Sequence, residues 1–485
     1  MNILFASSEV HPFSKTGGLA DMVGALGKTL AQMGHAVHII TPLYRGIHEK
    51  FPQLRRVDWQ FNLPLGAKWE QGALWSLEPE KGLTMYFVEH PGFFDRRGIY
   101  FENNISYADN AERFIFFSKC VVNLARYSTW QPDIIHVHDW QAALVPALML
   151  QQKRAEGWGN PPPTCLTIHN LAYQGAFPGG AFALTNLPPD FFTPDTTEYY
   201  GQLNCLKAGI IFADVITTVS PRYAREIATE SLGCGLDDRL RQRRKQLFGI
   251  LNGVDYSEWN TTRNSFLPHT YSVKQLAGKA ANKLALQKEL GLPERHDAPL
   301  FGTISRLAEQ KGVDIELGAL EEMLRADIQF VLLGCGSAAF EKGYQKLALR
   351  FPGKVAVRLG YSEGLAHRIE AACDFYLMPS LFEPCGLNQM YSLRYGAIPV
   401  VRATGGLDDS VIDYTQDTLR ANGIKFQEYS ARALAKAIRK ALAVYGQPEL
   451  FRRFRQNAMQ SDFSWNQTVG EYLKVYAVAK GNQIS

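Results

Sequence analysis

Short β-branched runs and amphipathic stretches take turns along the whole chain, a pattern that predicts strand, loop, helix and loop over and over. In the first half the runs fall at Ile3–Ser7, Val37–Thr41, Ile134–His138, Cys165–His169 and Val215–Val219. Between the first two, Leu19, Val23, Leu26, Leu30 and Met33 recur at spacings of four and three, and Gly34 follows, which predicts a helix with a glycine stop. The second half repeats the scheme, with strands expected at Phe301–Ser305, Phe330–Leu333, Val355–Leu359, Phe375–Met378 and Ile398–Val401. Alternation of this kind gives α/β domains with a parallel sheet and helices on both faces. Two such runs predict two doubly wound, Rossmann-like domains.

The break between them is expected at Asn252-Gly253-Val254-Asp255, where a strand-like Ile250-Leu251 gives way to a polar, irregular stretch reaching about Thr270. The domains are therefore set at 1–251 and 252–485. Pro161-Pro162-Pro163 is the other strong breaker, but it precedes a strand and reads as a surface loop. At the end of the chain Val469, Tyr472, Leu473, Val475 and Tyr476 describe an amphipathic helix over about 465–480. One echo joins the halves: Thr16-Gly17-Gly18-Leu19 and Thr404-Gly405-Gly406-Leu407.

Composition narrows the class. A length of 485 residues suits two domains, and 46 % hydrophobic with 20 % charged residues is a globular balance. The net charge of +4 is small for this length, and Arg241-Gln242-Arg243-Arg244-Lys245 is the nearest approach to a basic run. That reads as a solvated face, so no nucleic-acid partner is expected. The first strand begins at once without a basic leader, and no apolar stretch has the length of a membrane span. The seven cysteines are scattered and never form Cys-x-x-Cys, which fits a reducing compartment and neither a disulfide framework nor a zinc site. The expected location is the cytoplasm, or a plastid stroma for a processed plant or algal form.

Ligands of doubly wound sheets sit beyond the carboxyl ends of the strands, so the loops there carry the candidate chemistry, and two facing domains would make an interdomain cleft. Ser14-Lys15-Thr16-Gly17-Gly18 opens the first helix with two glycines and a lysine. It is either a phosphate cradle or a glycine-rich helix start with an exposed lysine, and it is neither a Walker A loop nor Gly-x-Gly-x-x-Gly. His136-Val137-His138-Asp139-Trp140 and Thr167-Ile168-His169-Asn170 follow neighbouring strands. Their histidines complete no metal spacing; polar strand ends beside an aromatic suit sugar recognition, with the Trp140 ring face as a platform. His136 reads as structural and His169 as functional.

In the second half, Arg306 and Lys311 bracket the loop Ser305–Gly312. They are either an exposed pair or two fixed cations for a departing nucleoside diphosphate, which would need no metal. The chain has no Asp-x-Asp, and no metal or cofactor is expected. Glu383, in Phe382-Glu383-Pro384-Cys385-Gly386-Leu387, would lie by the N-terminus of a helix over Leu387–Tyr395, as a sugar-hydroxyl acceptor or as an ordinary N-terminal acidic residue. Arg402-Ala403-Thr404-Gly405-Gly406-Leu407 could hold phosphates with its amides. No nucleophile elbow and no pair of glycosidase carboxylates stands out.

At these residues the sequence resembles the bacterial glycogen synthases and plant starch synthases. The likeness rests on Lys15-Thr16-Gly17-Gly18-Leu19-Ala20-Asp21, His138-Asp139-Trp140, His169-Asn170-Leu171-Ala172-Tyr173-Gln174-Gly175, Asn252-Gly253-Val254-Asp255, Glu383-Pro384-Cys385-Gly386-Leu387 and Thr404-Gly405-Gly406-Leu407, in order, through to Phe463-Ser464-Trp465. It implies the GT-B architecture, ADP-glucose as donor, the non-reducing end of an α-glucan as acceptor, and a new α-1,4 bond with retention. It also implies an acceptor side on the first domain, a donor side on the second, and a terminal helix that crosses back to the first domain.

By the same resemblance, Lys15, Arg306 and Lys311 bind the donor phosphates, His169 stabilises the cationic sugar and Glu383 holds donor hydroxyls. Gly17, Gly18, Asn252, Cys385, Gly386, Leu387, Tyr391, Thr404, Gly405 and Gly406 fall on the donor side. Glu9, Asp21, Tyr107, Asn110, Asp139, Trp140 and Asn170 fall on the acceptor side. Many related GT-B transferases carry a second glutamate eight positions after the first; here that position is Tyr391, as glycogen and starch synthases tolerate. A transferase with a small acceptor, a nicotinamide-dependent oxidoreductase and an inactive glucan-binding relative are the competing readings. The Tyr391 departure and the Lys15 motif oppose the first, the missing Gly-x-Gly-x-x-Gly the second, and intact Lys15, Arg306, Lys311 and Glu383 the third. No residue pattern speaks to oligomeric state or to glycogen against starch as product.

Overall fold

The computed structural model describes residues 1–103 and 105–481, residue 156 by its backbone alone. The chain divides into two units. Unit 1 holds Met1–Val219, Ala224–Gly253 and the chain from Trp465 onward; unit 2 holds Ser220–Tyr223 and Val254–Ser464.

Unit 1 is built on a nine-stranded sheet. Its strands are β1 (Asn2–Ala6), β2 (Ala36–Pro42), β3 (Arg55–Leu65), β4 (Lys68–Glu80), β5 (Leu83–Glu89), β6 (Ile134–His138), β7 (Thr164–Ile168), β8 (Val215–Thr218) and β9 (Leu247–Gly249). They lie in the order β9-β8-β7-β6-β1-β2-β5-β4-β3. From β9 to β5 all neighbours are parallel, and β4 and β3 add an antiparallel edge. β1 and β6 are buried on both faces; β1 is accordingly an apolar run, and β6 adds the buried His136 and His138. In β3, by contrast, Val57, Trp59, Phe61, Leu63 and Leu65 alternate with polar residues, the pattern of a half-buried strand.

Unit 2 has a six-stranded, wholly parallel sheet of β10 (Leu300–Leu307), β11 (Gln329–Gly336), β12 (Val355–Leu359), β13 (Phe375–Met378), β14 (Ile398–Arg402) and β15 (Ile424–Phe426), in the order β12-β11-β10-β13-β14-β15. Successive residues of β10 enter opposite cores. Phe301 packs with Leu320 and Ile438 on one face, and Leu300 with Leu286 and Ile369 on the other. In each unit the first strand lies between the two strands whose crossovers run in opposite directions: β1 between β6 and β2, and β10 between β11 and β13. These are topological switch points, where the loops part and leave a crevice.

The last helix, Trp465–Ala479, packs within unit 1. Trp465, Val469, Tyr472, Val475 and Tyr476 are buried. Tyr476 OH meets His136 Nδ1 at 2.8 Å, and Thr468 Oγ1 donates to the Leu251 carbonyl at 3.2 Å. Gly253 is the one residue that fits beneath the indole, since a Cβ there would stand 2.6 Å from Trp465 Cδ2. No helix among the described residues is long and apolar enough to cross a membrane.

Each of those five apolar and aromatic side chains contributes about 1.5–3 kcal/mol by burial. Their sum matches the whole stability of an ordinary domain. Truncation after Ser464 is therefore expected to abolish cooperative unfolding of unit 1 in calorimetry. A melting profile equal to that of the full chain would contradict this role.

Candidate active site

In unit 1 the candidate residues gather at the carboxyl ends of β1, β6 and β7. The loop after β1 doubles back, with Val10 N–H donating to Ser14 O at 3.1 Å. Its anchor is Glu9, 2 % exposed. One carboxylate oxygen accepts from Thr16 Oγ1 and from Tyr100 OH, both at 2.6 Å, and the other accepts the Thr16 backbone N–H. Tyr100 also meets Ser8 Oγ at 2.7 Å, and its carbonyl accepts from Asn110 Nδ2 at 3.0 Å. Asn110 Oδ1 accepts from the buried Arg113 at 2.6 Å. Glu9 and Asn110, assigned to the acceptor side by sequence, thus spend these polar atoms on holding the loop that presents Lys15. Lys15 Nζ pairs with Asp21 at 2.7 Å, both partly exposed. Gly17 precedes the helix Gly18–Gln32 with extended backbone and has nothing within 4 Å of a built Cβ, so open space lies over it. Tyr107 lies under the guanidinium of Arg96 (4.8 Å) and that of Arg113 (5.0 Å).

Asp139 takes a left-handed backbone (φ 53°) directly after β6 and is buried. Its Oδ1 accepts the His169 backbone N–H at 2.8 Å, tying the ends of β6 and β7 together. Burial pushes its carboxyl up to about 7, against the pull of the His169 and Asn170 amides. His138 Nδ1 and His169 Nε2 meet at 3.1 Å. Burial lowers both rings, His169 to about 3, so each is neutral at pH 7 and one donates to the other. The Trp140 ring was expected as a sugar platform. The structure instead lays it against Gly175 (φ +59°), where a Cβ would stand 2.3 Å from the indole, and edge-on to Phe114 and Phe177. Asn170 Oδ1 accepts the Ala172 N–H at 3.1 Å in a short turn. His136 bridges Tyr476 and Thr167 (2.6 Å) and is structural, as its sequence position suggested. Asn252 belongs to unit 1 and is buried, with Oδ1 unpartnered among the described residues.

In unit 2 the loops after β10, β13 and β14 lock together. Lys311 Nζ donates to Glu383 Oε2 at 2.6 Å, and Ser380 Oγ donates to the same oxygen at 3.0 Å. Gln310 O accepts the Leu381 N–H at 2.9 Å. Gly312 (φ +73°) leaves no room for a Cβ, which would fall 2.1 Å from Pro379 O. Gly405 (φ +45°) and Gly406 press on the Glu383 and Cys385 carbonyls in the same way, and Gly406 N–H donates to Glu383 O at 3.1 Å. These glycines are required first by loop-on-loop packing. Thr404 is buried at the head of the short helix Gly405–Ser410. Glu383 lies ahead of the next helix, as its sequence position implied. The helix starts at Asn388, with Cys385, Gly386 and Leu387 leading into it, and Lys311 rather than a helix end stabilises the carboxylate. Arg306, the last residue but one of β10, has an exposed side chain. Tyr391 stacks flat on Trp259 at 3.7 Å and 4°.

Sequence reasoning did not single out Tyr100, Arg113, Gln310, Ser380 or Trp259. Tyr100, Gln310 and Trp259 meet partners distant in the chain, and no motif announces the short pairings of Arg113 with Asn110 and of Ser380 with Glu383. In unit 2 a fixed cation and a buried carboxylate stand beside an exposed arginine and a glycine loop, all at the edge where a parallel sheet binds ligands. That set can hold a charged leaving group and a polyhydroxylated ring.

Two doubly wound units with such loops define a glycosyltransferase of the GT-B class. Residues 2–242 match the starch synthase catalytic domain, and residues 287–461 match glycosyl transferases group 1. The chain is 47 % identical to a glycogen synthase of an Anaeromyxobacter species, over 98 % of this chain and 99 % of that one. It is 46 % identical to a glycogen synthase of Myxococcus xanthus at the same coverage. The catalytic domain of starch synthase IV from Arabidopsis thaliana superposes with a TM-score of 0.88 at 36 % identity, over 99 % of both chains. Sucrose-phosphate synthase from Thermosynechococcus elongatus, at TM-score 0.60 and 17 % identity over 98 % of both chains, shares the fold. The chain belongs to the glycogen and starch synthase family.

The neutral, fully buried His136 gives a pH test. Burial lowers its pKa from 6.5 to about 3. The unfolded chain therefore takes up a proton below pH 6.5 that the fold refuses, and stability is lost as the pH falls. Between pH 7 and pH 5 one such group costs about 2 kcal/mol. In chemical denaturation the stability gap between wild type and His136→Gln is expected to narrow by that amount over this range; a constant gap would show that His136 is protonated in the fold.

Proposed function

We propose that the chain moves glucose from ADP-glucose to the non-reducing end of an α-1,4-glucan, with retention of the anomeric configuration. The observation that carries this is the unit 2 cluster of Arg306, the Lys311–Glu383 pair and the Gly405-Gly406 loop at the switch point of a parallel sheet. The Arabidopsis starch synthase IV domain was solved with ADP and acarbose, which supports an adenosine diphosphate leaving group. Arg306 and Lys311 draw charge onto the diphosphate as the bond from C1 to its oxygen breaks, and the electron pair leaves with the diphosphate. Glu383 accepts from donor hydroxyls and is held for that by Lys311 and Ser380. The acceptor hydroxyl attacks C1 on the face the diphosphate leaves, and its proton passes to a diphosphate oxygen.

From unit 1, Lys15 with the Gly17 and Gly18 amides contributes to phosphate binding, and His169 stabilises the developing glucosyl cation. Asp139 orients His169 through its backbone N–H, and Asn170, Asp21 and Tyr107 serve the acceptor side. Asn252, Cys385, Gly386, Leu387, Tyr391 and Thr404 shape the donor side. Unit 1 is the acceptor-side domain and unit 2 the donor-side domain, and the cytoplasm is the proposed location.

With glycogen as acceptor, kcat/KM for ADP-glucose is expected to exceed that for UDP-glucose by at least about tenfold, a difference of ~1.4 kcal/mol; a preference for UDP-glucose would overturn the donor assignment. Exposed Arg306 separates chemistry from folding. Arg306→Ala should leave stability within about 0.5 kcal/mol of wild type. It should also lower kcat by about 10²–10³-fold, and undiminished turnover would remove Arg306 from the transfer step.

A further inference from the structure

Away from those loops, Glu258, Glu363 and His367 meet on unit 2. One ring nitrogen of His367 and one carboxylate oxygen from each glutamate lie within 4.8 Å of one another. Glu363 and His367 are four apart on the helix Glu363–Ala372 and so share a face. Glu258 lies on the chain just before the stacked ring of Trp259. The two glutamates are exposed, whereas His367 is 0 % exposed and stacks on Trp259 (4.1 Å) and Phe266 (5.1 Å).

The hydrogen bonds around the imidazole all fall on one nitrogen. His367 Nδ1 lies 2.8 Å from Tyr395 OH and 3.1 Å from Asn264 Nδ2, which also donates to Tyr395 OH at 2.9 Å. Nε2 is buried and without a hydrogen-bond partner among the described residues. An unmet buried polar atom is costly. Here it stands on a ring oriented through its other nitrogen, the usual arrangement behind a metal-bound histidine, with two carboxylates in reach.

We propose that Glu258, Glu363 and His367 Nε2 bind a divalent first-row transition ion of the Zn²⁺ type, outside the transfer chemistry. An imidazole donor favours such an ion over Mg²⁺ or Ca²⁺, which prefer all-oxygen sets. The ion would clamp the segment carrying Glu258 and Trp259 to the helix Glu363–Ala372. Trp259 lies flat on Tyr391, so the clamp fixes the ring that backs a donor-side residue. That link rests on the donor reading above; ion binding does not.

The test uses the full chain, freed of metal by a chelator and titrated with ZnCl₂ by calorimetry, with melting followed in parallel. One saturable site and a rise in Tm are expected for wild type, with no rise for MgCl₂ at the same concentration. Glu258→Gln/Glu363→Gln, which alters exposed carboxylates alone, should keep the circular dichroism spectrum and weaken Zn²⁺ binding at least about tenfold. Absence of saturable Zn²⁺ binding by wild type would overturn the proposal. So would equal affinity in the double variant, which would place the ion on other groups such as the exposed Cys234 and Cys335.

Discussion

A parallel sheet sends every strand out at the same edge, and the chemistry of this chain depends on that constraint. Antiparallel strands would have scattered the loops to both ends. Here β1, β6 and β7 deliver Glu9, Asp139 and His169 to one rim of unit 1, and β10, β13 and β14 deliver Lys311, Glu383 and Gly405 to one rim of unit 2. The antiparallel β3 and β4 are appended where no candidate residue arises. Crossover helices on both faces cover the sheets, and the charged candidate residues lie at these rims.

The two rims hold their charges differently. In unit 1 a buried carboxylate, Glu9, accepts three hydrogen bonds and faces inward, so the lysine it supports is free to pair with the partly exposed Asp21. In unit 2 the carboxylate and its cation bond directly, and both belong to the proposed machinery. The repeated Thr-Gly-Gly-Leu shows how one sequence answers two demands. Thr16 anchors through its hydroxyl and amide, and the next glycine lies under open space. Thr404 is buried, and the glycines after it fit against the carbonyls of Glu383 and Cys385.

The buried strands Ile134–His138 and Phe375–Met378 have the limits read from sequence, and so does the edge strand Val355–Leu359, buried only at its start. The hairpins of β3 to β5 were passed over although β3 alternates cleanly, since polar residues at every second place hide a half-buried strand among loop-like composition. At the site, residue types at strand ends pointed to loops beyond the carboxyl ends of the strands. What they could not give was direction. Trp140 turns its ring onto Gly175, and Glu383 finds Lys311. These outcomes depend on partners brought close by tertiary packing, at separations that no local pattern encodes.

Apart from Ser220–Tyr223, the chain leaves unit 1 at Gly253, builds unit 2, and returns with Trp465. Translation is vectorial, so this route sets an order of maturation. Unit 2 has every one of its residues as soon as Ser464 clears the ribosome. Unit 1, begun first, waits with the pocket for Trp465 and Tyr476 unfilled until the helix Trp465–Ala479 emerges. The half begun first is therefore closed after the half begun second. Until that helix emerges, the apolar surface it covers stays open to water.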